Sequence, residues 1–129
     1  MFEVLPARLV QSDLFELAGS PGMVLGCAAG DLLRVADDGR FEVVEQGGNW
    51  CIQAAGLGHV SAESFAALRV AVADLPGLAE APPDLRFIVV TVGRAVGLPV
   101  IEQVMDSWAA GIDGVEWWIG NGDHATSSA

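Results

Sequence analysis

Residues 86–92, Arg-Phe-Ile-Val-Val-Thr-Val, form a nearly continuous β-branched run with no alternation that would leave one side polar. Such a strand is buried on both faces, so the fold must place material above and below it. Downstream, Pro99 suits the first position of a helix in which Ile101, Val104, Met105 and Trp108 fall at i, i+3, i+4 and i+7. Glu102, Gln103 and Asp106 occupy the other side of that helix, and Gly111 ends it. Residues 114–119 read as the next strand. Strand, helix, strand over 86–119 is a βαβ unit whose strands are parallel, though not necessarily adjacent.

A second helix precedes this unit. Ser61 is an N-cap with Glu63 in the first turn, and Phe65, Leu68, Val72 and Leu75 follow along one face until Pro76-Gly77 stops it. The stretch 78–84, with Pro82 and Pro83, reads as a loop. The first half of the chain instead has period two, punctuated by Gly, Asp and Asn. Strands are expected over 2–10, with Pro6 marking an edge or bulge, and over 14–18, 32–35 and 41–46. Asp37-Asp38-Gly39 is a hairpin turn of the kind that needs positive φ. Gly47-Gly48-Asn49 is a second tight turn that carries 50–54 on as a third meander strand. Should 50–54 instead join the sheet ahead of the first helix, the C-terminal half becomes three strands with two helices. The fold class is α+β: an N-terminal curled antiparallel meander or small partial barrel, packed with a C-terminal two-helix layer of split βαβ, ferredoxin-like form. Residues 1–120 are read as one domain, mainly β over 1–56 and αβαβ over 57–120, with 121–129 a flexible tail.

Charge narrows the partners. Six arginines, no lysine and seventeen carboxylates give a formal charge of −11. Such a surface repels nucleic-acid phosphates and anionic lipid headgroups, and a basic protein is the charge-matched partner. No apolar run approaches the length of a spanning helix. Without lysine there is no Schiff-base or Walker lysine, and without tyrosine no phenol acid or base. Cys27 and Cys51 match neither a zinc spacing nor a CxxC pair. With no basic, apolar leader before them, they read as packed, reduced thiols in a cytoplasmic protein.

Candidate sites are correspondingly few. His59 stands near Ser61 and Ser64, and His124 falls in the expected tail, so neither is assigned a catalytic role. Asp37-Asp38 is turn-forming and Glu42 with Glu45 splits between faces, so no catalytic carboxylate pair, metal site or cofactor is expected. The loop Gly93-Arg94-Ala95-Val96-Gly97 joins the buried strand to a helix N-terminus. There Gly93, Arg94 and Gly97 form a candidate anion-binding site. Trp117 and Trp118 are adjacent on one strand and point to opposite faces, so at least one is core. The other is a candidate anchor for a protein partner if it is exposed, and Trp50 is a second. Asp37, Asp38, Trp50 and Trp118 are the candidate partner-binding residues.

The segments FEVLPARL, SPGMVLGCAAGDLLRV, GGNWCIQ and LPVIEQVMDSWAAGIDGVEWWIGN cover most of the chain. In them the sequence resembles a group of small bacterial proteins, frequent in actinobacteria, catalogued as a domain of unknown function. The resemblance implies fold and bacterial origin and supplies no catalytic residue. The leading expectation is a small acidic, non-enzymatic binding protein that pairs with another protein, as inhibitors and immunity-type proteins do. A small-molecule pocket, in an accessory enzyme or sensor with an anion at Arg94, is the alternative, and an assembly module is a third. Oligomeric state stays open.

Overall fold

The computed structural model describes residues 5–56 and 60–122. The N-terminal half is a four-stranded antiparallel meander of β1 (Ala7–Gln11), β2 (Leu14–Leu17), β3 (Leu32–Val35) and β4 (Phe41–Glu45). Its two faces differ, as the alternating sequence requires. Leu17 and Leu33 are buried with Cys27, and Leu5, Val24, Val35 and Val43 pack around them. Cross-strand ion pairs, Arg8 with Glu16 at 3.2 Å and Arg34 with Glu42 at 3.3 Å, occupy exposed positions. Pairs this exposed contribute little to stability.

The Asp37-Asp38-Gly39 turn closes the β3–β4 hairpin with Gly39 at φ 88°. Asp38 accepts 2.6 Å contacts from the Arg40 guanidinium and a 3.0 Å bond from the Arg40 amide, which hold its carboxyl below the ordinary Asp value. A carboxyl depressed in the folded state supports folding above the usual Asp range, and that support is lost as pH falls through the folded value. Because Asp38 is at the surface the effect on stability is small, so the check is site-resolved. Carboxyl NMR titration should place Asp38 below a free Asp, and Arg40→Ala should move it up.

The C-terminal half contains β5 (Asn49–Gly56), α1 (Ala62–Ala73), β6 (Leu78–Glu80), β7 (Phe87–Gly93), α2 (Leu98–Ala109) and β8 (Val115–Ile119). Its antiparallel sheet has the order β6-β7-β5-β8. β5 and β6 run parallel with β7 between them, and β7 and β8 run parallel with β5 between them. Two interleaved split βαβ units result, the ferredoxin-like arrangement. Ser61 Oγ caps α1 by accepting from Ser64 N at 3.1 Å, and Pro99 sits in the first turn of α2. Ile52, Ala54, Ile88, Val90 and Val92 of the sheet meet Leu68, Val72, Ile101 and Met105 of the helices in the main core. On the other face Cys51 and Val89 pack against Ala28, so β7 is covered on both sides. None of the described helices is long and apolar enough to cross a membrane.

Three elements differ from the sequence reading. Residues 50–54 do not continue the meander but take the second place the sequence allowed, within β5, a central strand of the second sheet, buried from Cys51 to Ala54. The redirection occurs at Gly47, where a Cβ would meet the carbonyl carbon of Gly30 at 2.1 Å. Asp31, only 2% exposed, fixes the crossing by accepting from Ala28 N at 2.9 Å and Gly47 N at 2.8 Å. The stretch 78–84 is not all loop, because Leu78–Glu80 pairs with β7 and brings the sheet to four strands. Asn121, assigned to the tail, is 5% exposed, accepts from Cys51 N at 2.7 Å and donates to Asn49 O at 2.9 Å. The rest of the expected tail from residue 123 onward, including His124, lies outside the described residues, as does His59.

Candidate binding groove

Period two along the second sheet sends Gln53, Ala55, Phe87, Glu116 and Trp118 to the face opposite the helices. Gln53 is paired across β5–β8 with Trp118, and Ala55 with Glu116 and Phe87. The connection from β2 to β3, residues 18–31, crosses part of this face. Buried polar groups need partners, and here the partners hold that connection down. Thr91 Oγ1 donates to Ser20 Oγ at 2.7 Å, and Ser20 Oγ also accepts from Ala29 N at 2.9 Å. Gln53, 1% exposed, donates from Nε2 to Pro21 O at 2.9 Å and Val24 O at 2.7 Å. Its Oε1 accepts from Trp118 Nε1 at 2.6 Å. One amide therefore fixes both the connection and the indole.

Where the connection stops short, an open groove of about 500 Å³ remains, lined by Met23, Leu25, Ala55, Arg86, Phe87 and Trp118 among others. Gly22 lets the connection lie on the Phe87 ring, since a Cβ there would fall 2.0 Å from Phe87 Cε1. A second hollow of about 400 Å³ shares Ala55 and Trp118 and runs on past Gly114 to Glu116. Trp118 is 38% exposed and Leu25 56%, yet the Trp118 indole is held in one orientation by Gln53. A rigid, partly exposed tryptophan beside apolar walls has the properties of an interface anchor.

The remaining candidates lie elsewhere. Asp37 and Asp38 sit at the β3–β4 tip, next to an apolar cup of about 410 Å³ lined by Phe41, Leu33 and Cys27 among others. Trp50 is on the helix side of β5, partly buried against the main core, with its Nε1 donating to Val96 O at 3.2 Å. The four partner-binding candidates thus do not form one surface. Gly93, Arg94 and Gly97 do come together, at the β7–α2 connection. There the Arg94 guanidinium stacks 4.1 Å from the Trp50 ring centroid, and Nη2 donates to Asn121 O at 3.3 Å. Its Nε is buried without a hydrogen-bond partner among the described residues. Pro99 offers no N–H, and the Val100 and Ile101 amides already donate to Gly97 O. Arg94 is therefore built into the packing of Trp50, and the helix N-terminus has few donors left for an anion. Cys27 and Cys51 are buried thiols, and no group of three or more potential ligands could hold a metal among the described residues.

Gln53, Met23, Leu25 and Phe87 were not singled out from sequence. The signal was a lone amide inside an otherwise apolar strand, Cys-Ile-Gln-Ala-Ala, together with Met-Val-Leu between turn residues.

A solved structure described as a novel crystal structure of a hypothetical protein from Neisseria gonorrhoeae is similar in fold. It has a TM-score of 0.67 and 13% identity, over 92% of this chain and 82% of that one. No curated protein matches. The family model described as Domain of unknown function (DUF4265) matches residues 3–114, from ahead of β1 to the turn before β8, and the chain belongs to that family.

Proposed function

We propose that this chain is a small acidic, non-enzymatic binding protein that pairs with a basic protein through the groove at Trp118. The observation that carries this reading is a partly exposed tryptophan, fixed by a buried glutamine, in an open, largely apolar groove. Sites for small ligands bury most of the ligand, whereas walls as exposed as Leu25 and Trp118 suit a segment of another chain. The charge of −11 steers a basic partner toward the molecule and repels acidic ones. The same reading sets the pair in a bacterial cytoplasm, in an actinobacterial host. The segments quoted above and the bacterial source of the similar solved structure support a bacterial host, and the buried thiols suit a reducing compartment.

The test is affinity capture from such a host's extract with wild-type and Trp118→Ala baits, eluted with rising salt and followed by native mass spectrometry. A stoichiometric basic protein shed by salt is expected on the wild type. Trp118→Ala should weaken it by about 2 kcal/mol, roughly thirtyfold. Unchanged retention by a folded Trp118→Ala bait would refute the groove as the binding site.

A further inference from the structure

Resting on that reading, we infer that the partner binds by adding an extended basic segment as a fifth strand along the open edge of β8. Among the described residues β8 pairs with β5 alone and ends the sheet. Gly120 N donates to Cys51 O at 2.7 Å, which sets the phase of the ladder. Hydrogen-bonded pairs alternate in antiparallel strands, so Trp118 and Glu116, opposite Gln53 and Ala55, turn their backbone groups toward β5. Val115, Trp117 and Ile119 turn theirs outward, and no described residue hydrogen-bonds to them on that side.

Exposed edges are usually blunted by lysine, proline, a bulge or a covering segment. β8 has no lysine or proline, and its register against β5 is unbroken. Its edge is also acidic on both faces. Glu116 lies on the groove side, and Asp106 on the helix side accepts from Trp117 Nε1 at 2.9 Å. Between residues 95 and 122 the chain carries Glu102, Asp106, Asp113 and Glu116 and no arginine or lysine. A second copy pairing here would set carboxylates against carboxylates. An extended segment bearing Arg or Lys instead gains main-chain hydrogen bonds from the edge and charge contacts from its flanks. Side chains on its groove face fall beside Trp118, so strand addition and the anchor become one interface.

The experiment uses the full chain and a short synthetic peptide of alternating Arg and Val, with a Glu and Val peptide as control, read by residue-resolved amide exchange. The Arg peptide should slow exchange at Val115, Trp117 and Ile119 by about tenfold or more. Glu116 and Trp118, already bonded to β5, should change little, and the Glu peptide should do nothing. Asp113→Lys with Glu116→Lys, both exposed positions, should remove the protection and leave the fold intact. Unchanged β8 exchange up to millimolar Arg peptide would overturn strand addition. So would a peptide-free dimer that protects the same amides. If the Trp118 indole and the Leu25 and Phe87 signals shift while β8 amides keep exchanging, strand addition fails and the groove reading stands. If Trp118→Ala also leaves the partner bound, both fail.

Discussion

Gly47→Ala is expected to destabilise the protein by about 3 kcal/mol or more. The added Cβ would stand 2.1 Å from Gly30 C and 2.2 Å from Gly30 O, which are backbone atoms that cannot rotate away. Moving them would pull Gly47 N from Asp31, whose carboxylate is buried and ties this crossing together. Gly48 next door is an internal control. It has φ 89° but open space around its Cβ position, so alanine there meets backbone strain alone, about 1 kcal/mol. Thermal unfolding of the two variants should differ by several degrees, with Gly47→Ala the lower. Equal melting points would show that the close approach at Gly30 does not set the path between the sheets.

Gln53→Leu should cost about 3 kcal/mol although it changes side-chain volume little. It leaves the Val24 carbonyl and the Trp118 indole short of a partner in or beside a buried site, and takes from Pro21 O one of two donors, the other being Cys51 Sγ at 3.2 Å. The site-resolved consequence is sharper than the stability loss. Each of the four indole N–H groups has an acceptor: Val96 O for Trp50, Ser64 O for Trp108, Asp106 for Trp117 and Gln53 for Trp118. In a nitrogen–proton correlation spectrum Gln53→Leu should move the Trp118 indole signal most and broaden it. The Trp50 and Trp108 signals, whose acceptors are backbone carbonyls elsewhere, should hold. A stationary Trp118 signal would mean that Gln53 does not orient the anchor.

What could be read from the chain follows from which interactions are local. Ser61 as a cap, the helical spacing of Leu68 and Val72, and the Asp37-Asp38-Gly39 turn depend on neighbours a few residues away, and each stands in the structure where the sequence puts it. The fold class followed from the change of period between the two halves. β6 was hidden because three residues ahead of two prolines carry no periodic signal, and its existence depends on pairing with β7. For residues 50–54 the sequence leaves two places open, the meander and the sheet ahead of α1, because the Gly47-Gly48-Asn49 turn chemistry is the same for a hairpin and a crossing. Only the Gly30 contact, a long-range approach, separates them. Trp117 and Trp118 were correctly split between two faces by strand geometry alone, with Trp117 joining the main core and Trp118 partly exposed. The groove itself was not legible, since Gln53 reaches Pro21 and Trp118 across separations of 32 and 65 residues.

The most direct test of the groove as the binding surface is site-specific photo-crosslinking with the captured partner. A photoreactive residue replaces Leu25, 56% exposed in the groove, or Val70, 70% exposed on α1 on the opposite side of the sheet. A stoichiometric crosslink is expected from position 25, lost on adding Trp118→Ala, and none from position 70. A crosslink from position 70 with none from position 25 would contradict it.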